Sequence, residues 1–272
     1  MKRKKFHPSS LYLCAVLLLM YLPVVMVVIY SFNASKSDVQ WAGFTLGWYQ
    51  KMIHNESLMD ALRNSLVLGV SSCAISAVIG TVGAVGLAQS DFKTKGLLEN
   101  VAMLPIMIPE IILGMVFLAF FSFLGLPFGM ITLIIAHTAF CIPYIFIVVK
   151  GRLAGIDRSI GEAARDLGAS EMRMFFDITL PLIAPAILSG SLLAFAMSLD
   201  DVVISFFVTG AQTNTLPIKI YSQIKLGVSP EINALCTVML ALTFLLILLS
   251  GALTKTKKGK PIKPTISKEA NQ

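Results

Sequence analysis

Charge is what this sequence has least of. Only 14% of its 272 residues are Asp, Glu, Lys or Arg, against about 25% in an ordinary soluble domain, which excludes a water-facing surface over most of the chain. Cysteine is scarce as well. Cys14, Cys73, Cys141 and Cys236 fall one to an apolar stretch without metal-ligand spacing, so they read as small apolar fillers. No G-x-x-x-x-G-K-S/T phosphate loop occurs anywhere, which excludes nucleotide use of the usual kind by this chain. What fills the space is hydrocarbon: 56% of residues are hydrophobic and the mean hydropathy is +0.80. The runs Phe6–Ser35, Asn64–Ser90, Ile111–Val149, Pro181–Leu199 and Ile232–Thr254 contain no charged residue. A membrane-spanning helix needs roughly 20 apolar residues, so the chain reads as an all-α polytopic membrane protein.

Turn signals divide these runs into six expected spans, at about 11–31, 62–88, 101–124, 130–149, 182–208 and 233–253, within one transmembrane domain, 11–253. The third and fourth separate at "GLPFG", residues 125–129. Although "KRKK" precedes the first run, its apolar core is longer than the ~7–15 residues of a signal peptide, and it reads as a retained anchor. Six spans put both termini on one side. All lysines and arginines except Lys36, Lys51, Arg63, Lys219 and Lys225 fall on that side, and cytoplasmic loops hold the basic excess. Both termini are therefore expected in the cytoplasm, as a basic N-terminus (1–10) and a basic tail (254–272), with a polar loop at 150–181 between them. The net charge of +7 is accounted for by topology and anionic lipid, without nucleic acid. On the outer side, residues 44–60 read as an interfacial helix with aromatic anchors, and residues 215–231 as a second helix on the outer surface.

The loop at 150–181 is the polar exception. "SIGE", Ser159–Glu162, reads as a capping box opening a helix. Gly168 fits the C′ position at its end, and Ser170 can cap a second short helix leading into "ITLP". A stiff helix–Gly–helix hairpin follows. Its residues are those of a known motif: Glu162-Ala163-Ala164, then Gly168, then Ile178-x-Leu180-Pro181 resemble the "EAA" loop of ABC-importer permeases in spacing, in position between the fourth and fifth spans, and in side of the membrane. "YSFNASK", "GWYQKM", "SLDDVVISFFVTG" and "LPIKIYSQIKLGVSPEINAL" extend the resemblance over nearly the whole chain, to the C-type permeases of spermidine/putrescine importers.

That resemblance implies the type I ABC-importer permease fold in the bacterial inner membrane, multi-pass and non-catalytic. Its loop would be a coupling helix, with Glu162, Ala163, Ala164, Asp166, Gly168 and Glu171 meeting a cytoplasmic ATPase. The implied partners are a B-type permease forming a heterodimer, two copies of the ATPase and an outer-face polyamine-binding protein. No cofactor is implied in this chain, since ATP and Mg belong to the ATPase. Rival readings are an importer of another small solute and an ATP-independent secondary transporter.

Chemistry singles out candidate path residues. A carboxylate at the centre of a spanning helix costs roughly 2.5–3.5 kcal/mol, so such groups face a pathway or a partner. Glu110, Asp200 and Asp201 qualify. At ~1.5 Å rise per residue Asp200 lies about 20–25 Å beyond Pro185, in the outer half, with Glu110 nearer the middle. Acids at two depths suit an extended polycation. Pro105 and Pro109 predict a kink before Glu110. A regular fifth helix would place Ser198 and Asp201 on a polar stripe lining the path and turn Asp200 toward a neighbour. The plainer alternatives are a packing hydrogen bond for Glu110 and a helix cap or interface bond for the aspartates. Trp48 is either a cation–π contact or an interfacial anchor. His137, alone in its span, is expected to hydrogen-bond within the bundle.

Overall fold

Proline or glycine stops some of the helices, as at Pro109, Gly125, Gly155 and Gly168. The structure, a computed structural model, describes residues 8–36, 40–90, 93–224 and 229–255. The expected basic N-terminus and tail lie almost wholly outside them. Among the described residues every regular element is helical, and the only strand-like feature is an isolated antiparallel bridge between Asn33 and Phe44. Two compact units are present, one from Met1–Ile53 with Ser229–Gln272, the other from His54–Val228.

The first unit holds α1 (Pro8–Tyr30), all but the last residue of α2 (Gly47–His54), and α12 (Pro230–Lys255). α1 packs on α12. The residues of α1 from Leu11 to Tyr30 are apolar on every face and unburied by the rest of the chain, as befits a helix meant for lipid or a partner. Between α1 and α2 the chain folds back, with Ala34 N donating to Gly43 O and Thr45 N to Phe32 O. The Phe32 and Phe44 rings stack at 5.4 Å.

The second unit is built around α6 (Met130–Ala154), which packs against α3 (Glu56–Gln89) and α9 (Leu180–Asp200). Leu133, Ala136, Cys141, Ile145 and Val149 of α6 have no exposed surface. Small residues allow the helices to close up. A Cβ added at Gly190 would sit 3.1 Å from Ile145 Cα, and one at Gly80 3.2 Å from Ile142 O.

Two expected spans are revised. The third, 101–124, is a pair, α4 (Lys95–Met107) and α5 (Glu110–Phe123), bent by 105°. Pro109 disfavours helical backbone at Ile108, which is extended (φ −82, ψ 131). The kink was anticipated; its size was not. The fifth, 182–208, does not continue as one helix: α9 ends at Asp200, and α10 (Val203–Val208) begins after an extended Asp201 (φ −67, ψ 122).

α6 leads through Gly155 to the polar hairpin: α7 (Arg158–Asp166), then α8 (Glu171–Met174). α8 passes through a π-helical turn, Phe175–Thr179, into α9. Pro181 has no N–H to bond back to Asp177, which accounts for the irregular entry. Of the expected outer helices, α2 and α11 (Leu216–Ile224) are shorter than anticipated, and 225–228 lie outside the described residues. α11 is tied to α3, with Leu216 N donating to Ser65 Oγ at 2.8 Å and Lys219 Nζ to Ser57 Oγ at 2.8 Å.

Candidate functional site

Why α9 breaks at the paired acids is visible in the hydrogen bonds. α10, like any helix, opens with unpaired N–H groups. The Asp201 carboxylate takes two of them, from Ile204 N at 3.1 Å and Ser205 N at 2.8 Å. Asp201 is thus a buried cap of α10, 8% exposed. Asp200, one residue earlier, is exposed. The expected regular helix ends here: Asp200 is exposed, in keeping with the expectation that it turns toward a neighbour, and Asp201 is buried in the helix-cap role that was the plainer alternative.

His137 of α6 completes the buried cluster. Its Nδ1 lies 2.8 Å from Ser198 Oγ, and its Nε2 lies 3.0 Å from Ser205 Oγ and 3.3 Å from Asp201 Oδ2. Ser198 is itself buried, 4% exposed, so it serves this cluster rather than an open stripe. The bundle hydrogen bond expected of His137 is present.

The other acid stands at a second break. Glu110 is the first residue of α5, exposed, in the turn where a negative charge complements the helix dipole. It lies within electrostatic reach of Tyr144 on α6. His137 and Tyr144 fall on one face of α6, two turns apart, which is about 10 Å along the axis. Phe140 lies between them, edge-on to both rings. α6 therefore runs past both acid-bearing breaks. α5 and α10 also touch each other, an added Cβ at Gly114 falling 2.5 Å from Phe207 Cδ2.

Trp48 belongs to the first unit and is buried, 7% exposed. Its Nε1 donates to Asn33 O at 2.6 Å, as a buried indole N–H must find an acceptor. Lys51 Nζ sits 4.5 Å over the ring. The ring makes a cation–π contact with an internal lysine.

In the hairpin, Gly168 adopts φ +81. Gly168 N bonds to Arg165 O at 2.8 Å and Ala169 N to Ala164 O at 3.0 Å, the paired pattern of a Schellman end. Ser170 caps α8 through Arg173 N. The start of α7 is a correction: Asp157, not Ser159, is the cap, accepting from Ser159 N at 3.0 Å. That hydrogen bonding to Ser159 holds the exposed Asp157 carboxyl below its ordinary value. Glu162, Ala163 and Asp166 are exposed, while Ala164 is buried. Glu171 pairs with Arg165 at 2.9 Å, closing the hairpin from α7 to α8. Leu167 and Met172, which motif reading passed over, are 88% and 69% exposed, so the hairpin offers apolar as well as charged surface. Behind it lies a cavity of about 620 Å³ whose lining includes Glu99, Lys150, Glu162 and Arg165.

Apolar helices broken at carboxylates, joined to a polar hairpin outside the bundle, define a membrane transport subunit. A sequence model of the family described as binding-protein-dependent transport system inner membrane component matches residues 76–255, and the chain belongs to that family. It is 38% identical over 246 residues to the spermidine/putrescine transport system permease protein PotC of Escherichia coli (strain K12), covering 90% of this chain and 93% of that one. It is 42% identical over 228 residues to the putrescine transport system permease protein PotI of the same strain, covering 81% of each. In solved structures the fold resembles a bacterial ABC transporter involved in the import of the acidic polysaccharide alginate, with TM-score 0.71 and 15% identity over 92% of this chain and 95% of that one. A second likeness is to the MetNI methionine ABC transporter in inward-facing conformations, with TM-score 0.58 and 18% identity over 80% and 100% of the two chains.

Proposed function

We propose that this chain is the permease subunit of an ATP-driven polyamine importer in the bacterial inner membrane. α1, α3, the bent pair α4–α5, α6, the α8–α9 rod and α12 would form six spans, both termini cytoplasmic, a reading the lysine and arginine distribution supports. The observation that carries the reading is the placement of Glu110 and Asp200. Both are exposed carboxylates at breaks in apolar helices, and α6 runs past both breaks. An extended di- or triammonium chain suits two acids at different depths, and the one lysine or arginine within the expected spans is Arg63, at the edge of the second. Trp48 has a lesser part, since an incoming ammonium would contend with Lys51 for the ring.

Coupling follows from continuity. Glu171–Asp200 is one helical rod of 30 residues, about 45 Å long, with the hairpin at one end and Asp200 at the other. A force on Glu162, Leu167 or Met172 from a docked ATPase would travel along it to the acid. Arg152 Nε, bonded to Leu182 O at 3.1 Å, ties the base of this rod to α6. The partners on this reading are a B-type permease, two ATPase copies that bind ATP and Mg, and an outer-face polyamine-binding protein. The test is labelled spermidine and putrescine uptake by the reconstituted complex. Asp200→Asn and Glu110→Gln should each cut uptake at least about ten-fold, the scale of one lost charge-assisted contact, with assembly intact. Wild-type uptake in both would refute an acid-lined path.

A further inference from the structure

Asp201 is wholly engaged inside the unit, yet it stands beside the one carboxylate of the pair that is free to meet substrate. Two backbone amides and a single imidazole hold it there. The His137 ring reaches Ser198, in the last turn of α9, with one nitrogen, and Ser205, in α10, with the other. It therefore spans the break from one side to the other. Nε2 lies between Asp201 Oδ2 and Ser205 Oγ, and Nδ1 bonds to the Ser198 hydroxyl. A planar ring has no internal torsion, so bonding both helices through it fixes the angle between them. Backbone geometry alone does not: the break contains neither proline nor glycine. All four groups are buried, His137 and Ser205 completely, where unpaired polar atoms are costly and the arrangement resists slippage.

We propose that His137 is a positioning residue for transport. It staples α9 to α10 through Ser198, Ser205 and Asp201, so that Asp200 projects from the break at a fixed depth and direction relative to Glu110. The residue is specificity-determining in consequence, because the spacing of the two acids decides which separation of ammonium groups is matched. This rests on the acid path proposed above.

The experiment uses the full complex in proteoliposomes at saturating loaded binding protein, where delivery no longer limits turnover. Labelled spermidine and putrescine are run in parallel, and assembled complex is counted by pull-down. His137→Leu is expected to lower turnover per assembled complex about ten-fold, the scale of one hydrogen bond to a charged group, and to change the spermidine-to-putrescine ratio. His137→Gln, with an amide that can bond to both sides, should recover most of the turnover and the ratio. Ser205→Ala keeps the ring and its packing but removes one anchor, and should shift the ratio in the same direction as His137→Leu. Equal losses for both substrates that follow the amount of assembled complex overturn the inference, leaving His137 as packing. Should His137→Leu not assemble, Ser205→Ala decides, and an unchanged ratio there is fatal. Asp200→Asn is measured alongside. Wild-type turnover in that variant removes the acid path itself and this inference with it. An Asp200→Asn defect beside an unaffected His137→Leu removes only the positioning role.

Discussion

Two aspartates in this chain do the same local work in opposite surroundings. Asp157 caps α7 through Ser159 N, in the open hairpin. Asp201 caps α10 through Ile204 N and Ser205 N, inside the bundle, with His137 against its second oxygen. In water a lost cap is partly replaced by solvent, and the helix frays at its end. In the bundle nothing replaces it, and the remaining partners stay buried and unpaired. One motif is thus a local convenience in the hairpin and a structural commitment at the break. The commitment is what frees Asp200: a carboxylate can be spared for a passing cation because its neighbour holds the backbone open.

Asp201→Ala should do the greatest damage. It orphans two buried helix-end amides and leaves His137 with a lost partner, and each buried polar group left unpaired costs about 1–3 kcal/mol. The expected result is little assembled complex in a pull-down, whereas Asp200→Asn, at an exposed position, assembles normally and fails in uptake. Normal assembly of Asp201→Ala would erase the distinction between the two aspartates.

The glycines that end the same two helices sharpen it at lower cost. Gly210 follows α10, and an added Cβ there meets the backbone carbonyl of Phe128, which cannot rotate away. Gly210→Ala should lower stability by about 1–3 kcal/mol, as overpacking does, read as a fall in the thermal midpoint of the purified complex. Gly168 has open space around it but φ +81. Gly168→Ala therefore costs only backbone strain, roughly 1–2 kcal/mol, confined to the hairpin. Its signature is ATPase activity no longer stimulated by loaded binding protein, with the midpoint nearly unchanged.

The helical bundle was legible because burial in lipid demands long apolar runs. α3 and α6 appear where 62–88 and 130–149 predicted, each longer because polar ends extend beyond the apolar core. The hairpin was legible from Gly168 and Ser170, whose roles depend on local chemistry alone. Where the reading failed, a tertiary contact or a competing local cap was decisive. A helical wheel assumes an unbroken helix, and "SLDDVV" carries no proline or glycine to warn otherwise. The available signal was the other half of a cap rule: an aspartate directly before the apolar run "VVISFFV" is a helix start. Asp157 was overlooked in the same way, since "SIGE" two residues later offered a more familiar pattern. Trp48 could not be placed because Lys51, one helical turn on, is equally able to cover the ring or to face water.

The smallest effect isolates what solvent does for the exposed cap. Hydrogen bonding to Ser159 holds the folded-state Asp157 carboxyl below its ordinary value of 3.8. A depressed folded value means the ionised cap stabilises α7 fully above pH 3.8, and that contribution is lost as pH falls through the lower, folded value. Asparagine caps helices about as well as aspartate but does not titrate. Asp157→Asn should therefore leave α7 as protected as wild type at neutral pH and remove the acid-side loosening. Hydrogen exchange of the Ile160 and Gly161 amides in the intact complex, corrected for intrinsic rates and stepped downward from neutral pH, reads this directly. Loosening that persists unchanged in Asp157→Asn would place its origin elsewhere in the hairpin.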